Sequence, residues 1–142
     1  MERKSLMVAA LAAGGENASF TPVQVQKLFF LIDREASHFV DGPHFSFKPY
    51  DYGPFDREVY AELERLESEQ CLEVDNSKQY RLYRLTAIGY AKGTAALAAI
   101  PEPALTFVTR AAEWVRSLTF SQLVAAIYKR YPDMKTKSIF RQ

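Results

Sequence analysis

Two histidines and one aspartate lie at regular intervals in a short segment of the sequence. His38, Asp41 and His44 follow an H-x2-D-x2-H spacing, and two imidazoles with a carboxylate are ligands that a divalent metal ion accepts. Gly42-Pro43 interrupts the segment, so a fixed ligand geometry is not expected. We therefore predict loop histidines at the end of a helix and no metal site.

Other side chains that could act in catalysis do not form a recognisable catalytic set. The single cysteine, Cys71, has no basic neighbour that would activate its thiol, so we expect it to pack as a small apolar residue. Glu62 and Glu64 are two residues apart and point to different faces of a helix. No glycine-rich phosphate-binding motif is present. We expect no catalytic residue and no cofactor; an enzyme with a site near Asp51 and the histidines is an alternative.

The composition predicts a folded domain with little overall charge. The chain has 142 residues, of which 48% are hydrophobic and 25% charged, and its net charge is +1. A global positive field that would favour nucleic acids is therefore absent. The longest weakly polar run, Ser5–Gly15, is far shorter than the ~20 residues that a membrane span needs. These features favour a cytoplasmic protein without membrane contact.

Apolar residues recur at helical spacing in six segments. Thr21 followed by Pro22, and Thr119 followed by Gln122, are N-terminal helix signals. In the third segment, Val59, Leu63 and Leu66 form an apolar stripe with Phe55, so Leu63 is expected in the core. The predicted helices cover about Lys4–Ala13, Pro22–Phe39, Phe55–Gln70, the stretch from a cap at Thr86 to Ala99, Ala104–Leu118, and the stretch from Thr119 to Pro132.

Extended segments separate some of these helices. His44–Tyr52 is rich in aromatic residues, and Cys71–Val74 with Tyr80–Leu85 reads as a β-hairpin around polar turn residues. This order predicts an α+β, mostly helical fold, with a winged-helix-like core, a β-hairpin wing and additional C-terminal helices. We expect one domain over residues 1–142, with the core at about 4–99, a helical extension at about 104–131 and a basic tail at 132–142.

Two segments carry distinctive motifs, TPVQVQKLFFL at Thr21–Leu31 and PYDYGPF at Pro49–Phe55. They resemble the Panacea (SocA-like) family, an antitoxin-type domain family of bacteria and phages. The first is similar to the family's Leu-Gln-Lys-Leu-aromatic helix, with Val25 at the first leucine. The second is similar to the family's aromatic and Gly-Pro stretch, with Phe55 where valine is usual. The chain is most similar to a branch of uncharacterised bacterial proteins that carry the same PYDYGPF motif.

This resemblance implies a non-enzymatic module of antitoxin or phage-defence type that binds a partner protein, either a toxin or another component of a defence system. Gln26 and Lys27 are expected to clasp the aromatic loop through Asp51 or the backbone around Gly53. The sequence leaves open whether the protein forms homo-oligomers. Aromatic residues beside Gly-Pro supply rigid contact area, so the expected partner-binding residues are Tyr50, Asp51, Tyr52, Gly53, Pro54, Phe55, Glu58 and Glu62.

The charge of the third predicted helix argues against sequence-specific DNA binding by this helix. Phe55–Gln70 contains two basic and six acidic residues, a net charge of −4, which phosphate groups would repel. The predicted wing carries Lys78, Arg81 and Arg84, which are the nucleic-acid contacts of the alternative function, a winged-helix DNA-binding transcriptional regulator. We expect nucleic-acid binding to be weak at most.

Overall fold

The computed structural model describes residues 1–140. Arg141 and Gln142, the last residues of the predicted basic tail, lie outside the described residues. In chain order the elements are α1 (Arg3–Ala12), β1 (Ser19–Phe20), α2 (Pro22–Glu35), a 3-10 turn (Ser37–Val40), β2 (Lys48–Tyr50), β3 (Gly53–Phe55), α3 (Arg57–Ser68), β4 (Leu72–Asp75), β5 (Leu82–Leu85), α4 (Ala87–Ala98), α5 (Ala104–Ser117), α6 (Phe120–Arg130) and a second 3-10 turn (Pro132–Lys135).

The predicted α+β, mostly helical class is confirmed. Strands β4 and β5 form the expected antiparallel hairpin, with Leu72 opposite Leu85. The sequence pattern did not predict β1, whose two residues pair with β5 so that Ser19 lies opposite Arg84. The sheet order is therefore β1-β5-β4, and a second, two-stranded sheet consists of β2 and β3.

Helix α2 lies at the centre of the hydrophobic core. Its Leu28, Phe29 and Ile32 are at most 1% exposed, and the helix packs against α3, α5 and α6. Val108 and Val115 of α5 are fully buried in the same core. The C-terminal helices and the N-terminal elements thus share one apolar interior, which is the main source of stability in a domain of this size.

The apolar stripe of α3 was predicted correctly, whereas the start of this helix was not. Leu63 is 1% exposed. The helix begins at Arg57 because Asp56 caps it, accepting a hydrogen bond from the Glu58 N–H at 2.9 Å. Phe55 lies before the cap, in β3, and is therefore part of the second sheet instead of the helical stripe.

Helix α2 ends earlier than its apolar pattern predicted. It stops at Glu35, and Ser37–Val40 forms a separate 3-10 turn. The Asp33 carboxylate accepts hydrogen bonds from the backbone N–H groups of His44 and Phe45 at 2.9 and 2.8 Å. These bonds fold the chain back over the last turn of α2, so a continuous helix to Phe39 is not formed.

Candidate functional site

Strands β2 and β3 form a short aromatic hairpin whose turn is Asp51-Tyr52. Tyr50 pairs with Gly53 across the hairpin, and its ring stacks on Phe55 with 5.0 Å between centroids. Gly53 has a φ of +106°, which favours glycine. A Cβ at this position would lie 3.3 Å from the Tyr128 ring and 3.5 Å from Cε of Lys27. The hairpin is therefore closely packed against α2 and α6.

Gln26 and Lys27 hold this hairpin against α2. The Gln26 side chain donates to the Asp56 carbonyl and accepts from the Asp56 N–H, both at 3.0 Å. Lys27 Nζ donates to the Pro54 carbonyl at 3.3 Å. The hydrogen bonds expected with the backbone near Gly53 are thus present; within residues 1–140, neither side chain bonds to Asp51.

Lys27 is a buried basic residue without a nearby counter-charge. The residue is 3% exposed, and burial lowers the pKa of its ammonium group from its usual 10.5 to about 7. Within the part of the chain that the structure describes, no carboxylate forms an ion pair with it. Desolvation of a charge is costly unless an opposite charge or several hydrogen bonds offset it.

A cavity of about 570 Å³ opens between the hairpin, the start of α2, the start of α6 and the tip of the β4–β5 hairpin. We call it the aromatic groove. Large aromatic side chains from three of these elements line it and remain exposed to solvent. They are Tyr50 (54% exposed), Tyr52 (41%), Tyr80 (55%) and Phe120 (44%).

Two helices begin at the aromatic groove, and both have complete capping boxes. Thr21 accepts from the Gln24 N–H, while the Gln24 side chain accepts from the Thr21 N–H. Thr119 and Gln122 repeat this arrangement at α6, as their spacing predicted. The caps fix the first turn of each helix, so the rim of the groove is well ordered locally.

The C-terminal segment supports the hairpin turn from the other side. The Ile139 N–H donates to the Asp51 carbonyl at 3.0 Å, and Ser138 Oγ lies 3.4 Å from the same oxygen. The Phe140 ring packs against Phe120, with 6.2 Å between centroids. Part of the predicted basic tail is therefore folded against the site.

The predicted contact residues are only partly on the surface. Tyr50 and Tyr52 are exposed at the groove, and Asp51 and Phe55 line it. Gly53 and Pro54 are buried, because α2 and α6 cover this side of β3. They shape the hairpin and do not present side chains to a partner.

The expectation that Glu62 is an exposed contact is wrong. The residue is 5% exposed, because its position borders the stripe of Val59 and Leu66, and its carboxylate pairs with Arg65. Glu58 is half-buried and bonds to Arg65 at 2.9 Å and to Arg3 at 3.2 Å. Much of the acidic charge of α3 is therefore already paired within the protein.

The other predicted positions are dispersed. Lys78 and Arg81 are exposed on the β4–β5 hairpin, whereas Arg84 pairs with Glu73 at 2.8 Å. His44 bonds to the Val40 carbonyl, and the lining of the groove includes Asp51 but neither histidine. Among residues 1–140, no three histidine, cysteine or carboxylate side chains gather as metal ligands would.

Sequence reasoning missed Tyr80 and Phe120 as parts of the site. Each lies next to a predicted feature: Tyr80 at the start of a strand, and Phe120 directly after the Thr119 cap. Phe120 lies three and seven residues before Leu123 and Ile127, on the same face of α6, so the periodic pattern gave no signal that its ring would be 44% exposed at the first turn of the helix.

A comparison of the chain with protein-family models, curated proteins and solved structures found no match. Within residues 1–140, no helix has the length and apolar character required to cross a bilayer.

Proposed function

We propose that this protein is a non-enzymatic, winged-helix-like module of antitoxin or phage-defence type that acts in the cytoplasm by binding a partner protein. The partner is a toxin or another component of a defence system, as the resemblance to the Panacea family implies. The aromatic groove is the binding site, and the hairpin β2–β3 supplies its central contacts.

The order of elements supports the winged-helix part of the proposal. A short strand follows α1, two helices and an inserted hairpin come next, and β4–β5 follows as the wing. The first strand pairs with the second strand of the wing, which gives the order β1-β5-β4. This pairing is typical of winged-helix domains.

The observation that carries the proposed function is the group of exposed aromatic side chains around the groove. Tyr50, Tyr52, Tyr80 and Phe120 are each at least 41% exposed, although their rings are large and mostly apolar. Aromatic residues dominate the binding energy of many protein interfaces. A cavity of about 570 Å³ is also within the usual size range of binding pockets.

The groove is pre-organised for binding by contacts within the protein. The Gln26 and Lys27 hydrogen bonds fix the hairpin to α2, and the Tyr52 ring packs edge-on against Phe120 of α6 at 5.1 Å. A site that is already ordered loses less conformational entropy on binding, so its contacts contribute more affinity.

The two alternatives have less support. A DNA-binding regulator would use the wing, where Arg84 already forms an ion pair with Glu73. The neighbouring helix α3 also has exposed acidic residues, such as Glu64 and Glu67, which repel the phosphate groups of DNA. An enzyme site would need Asp51 near the histidines, and the groove does not combine them.

The proposal is tested by photo-crosslinking in the native host. A benzoylphenylalanine replaces Tyr52 in the groove or, as a control, Ile88, which is 52% exposed on α4 and outside the groove. We expect one protein to be crosslinked from position 52 and not from position 88. That protein, once purified, should bind the wild-type chain directly. Identical crosslinks from both positions would reject the groove as the site.

A further inference from the structure

The aromatic groove has a buried ammonium group among its lining atoms. Lys27 lines the cavity, and a Cβ placed on Gly53 would lie 3.6 Å from its Nζ. The carbonyl of Pro54 is the one hydrogen-bond acceptor that the described residues give this Nζ. An ammonium group has three N–H donors, so two of them have no acceptor among residues 1–140.

The surroundings of Lys27 add positive character. The first turns of α2 and α6 reach the groove at Thr21 and Thr119, and the N-terminal end of a helix carries a partial positive charge. Asp51 is the acidic residue of the lining, and its carboxylate does not pair with Lys27 in the described chain. The groove thus combines apolar walls with the amino group of Lys27, which has no carboxylate partner among residues 1–140.

Building on the proposed function, we infer that the groove recognises an acidic side chain of the partner, flanked by apolar residues, whose carboxylate binds Nζ of Lys27. The exposed rings come from three separate elements around the cavity, Tyr52 on the hairpin, Tyr80 on the wing and Phe120 on α6. A partner segment in the groove can therefore place apolar residues against these rings while its acidic side chain reaches Nζ.

Binding of a carboxylate also changes the protonation of Lys27. Burial leaves the pKa of the ammonium group at about 7, and a neighbouring anion favours the charged form. The other titratable groups that line the groove are Tyr50, Asp51 and Tyr52 on the hairpin, Tyr60 on α3 and Tyr80 on the β4–β5 hairpin, and Tyr128 of α6 lies beside Gly53 next to Lys27. Burial raises the pKa values of Tyr60 and Tyr128 above their usual range, so these two phenols stay neutral near pH 7.

The test uses three short peptides as probes on the full chain. They are acetyl-Phe-Glu-Phe-amide, its matched neutral form acetyl-Phe-Gln-Phe-amide, and acetyl-Phe-Gln-Phe with a free C-terminal carboxylate. Binding is followed by NMR shifts of the Tyr52 and Phe120 backbone amides at about pH 6, where Lys27 is mostly protonated. We expect the Glu peptide to bind about tenfold more tightly than the Gln peptide, as a charge-assisted hydrogen bond would produce.

Two further measurements connect this difference to Lys27. In Lys27→Met, which keeps the length of the side chain and removes its charge, the Glu and Gln peptides should bind equally. In the wild-type protein, the Cε resonance of Lys27 should report a higher pKa with the Glu peptide and an unchanged pKa with the Gln peptide. This second measurement does not depend on the folding of a variant.

The possible results separate this inference from the proposed function. Equal binding of the Glu and Gln peptides at the groove would overturn the role of the carboxylate and leave the groove as an apolar binding site. If the peptide with a free C-terminus binds more tightly than the Glu peptide, the ligand is a chain end, which also contradicts the inference. No shift with any peptide would reject the acidic ligand, and the Tyr52 crosslink would still decide the proposed function independently.

Discussion

The Gln26 side chain and the Asp56 backbone form a closed pair of hydrogen bonds. Gln26 Nε2 donates to the Asp56 carbonyl and its Oε1 accepts the Asp56 N–H, each at 3.0 Å. Asp56 also caps α3. One buried amide on α2 therefore fixes both the end of the aromatic hairpin and the start of the next helix.

Loss of this pair should destabilise the fold. Gln26→Ala leaves the Asp56 N–H without a partner, in a site where the Gln26 side chain is 2% exposed, while the Asp56 carbonyl keeps only its bond from the Val59 N–H. We expect a cost of roughly 1–3 kcal/mol for the orphaned N–H. Urea unfolding measures the change. Gln79→Ala, at an exposed position in the turn between β4 and β5, is the control and should change stability by less than about 0.5 kcal/mol. Equal stability of the two variants would contradict a stabilising role for the hydrogen bonds between Gln26 and Asp56.

The burial of Lys27 predicts a specific pH dependence. Because the pKa of Lys27 is lowered to about 7 in the folded protein and returns to about 10.5 on unfolding, the unfolded chain binds more protons between these values. Stability should therefore rise with pH between about pH 7 and pH 9, by up to about 1.4 kcal/mol per unit from this group. In Lys27→Met this contribution should vanish. Parallel stability curves for wild type and Lys27→Met would show that the ammonium group is not buried.

The burial of Glu62 predicts a difference between two charge reversals on α3. Glu62→Lys places a second cation beside Arg65 in a buried position, and we expect a loss of roughly 1–3 kcal/mol, discounted because Arg65 itself is exposed. Glu64→Lys, at an exposed position of the same helix, should stay within about 0.5 kcal/mol of wild type. Thermal or urea unfolding compares them. If Glu62→Lys is as stable as Glu64→Lys, the buried position of Glu62 is contradicted.

Binding to DNA should be weak and independent of sequence. The exposed basic residues of the β4–β5 hairpin, Lys78 and Arg81, are few, and the acids of α3 repel phosphate, so we expect no dissociation constant below about 1 μM at physiological salt. Fluorescence anisotropy with random DNA and with DNA from upstream of the coding sequence measures this. A tight complex with one sequence and not the other would support the regulator instead.

Local signals in the sequence predicted much of the fold. Thr21, Thr86 and Thr119 each cap a helix as expected, because a cap depends only on residues three positions apart. The two-residue strand β1 was missed, since it exists through its pairing with β5, more than sixty positions later. A pairing at that distance leaves no periodic pattern in two residues.

The candidate site was predictable only in part, for the same reason. The hairpin residues Tyr50 and Tyr52 were identified from their own motif. Tyr80 and Phe120 reach the groove through the tertiary arrangement of the β4–β5 hairpin and α6. Glu62 looked like a surface residue because its type is polar, whereas its burial follows from its place beside the stripe of α3.

The most direct test of the central claim is the affinity of the crosslinked partner for three purified proteins. These are the wild type, Tyr52→Ala in the groove, and Ile88→Ala on α4, where the replaced apolar side chain is 52% exposed, compared with 41% for Tyr52. If the groove is the binding site, Tyr52→Ala should weaken binding by about tenfold or more, as expected for a central aromatic contact, while Ile88→Ala and wild type bind alike. Equal affinities of all three proteins, with Tyr52→Ala correctly folded, would contradict it.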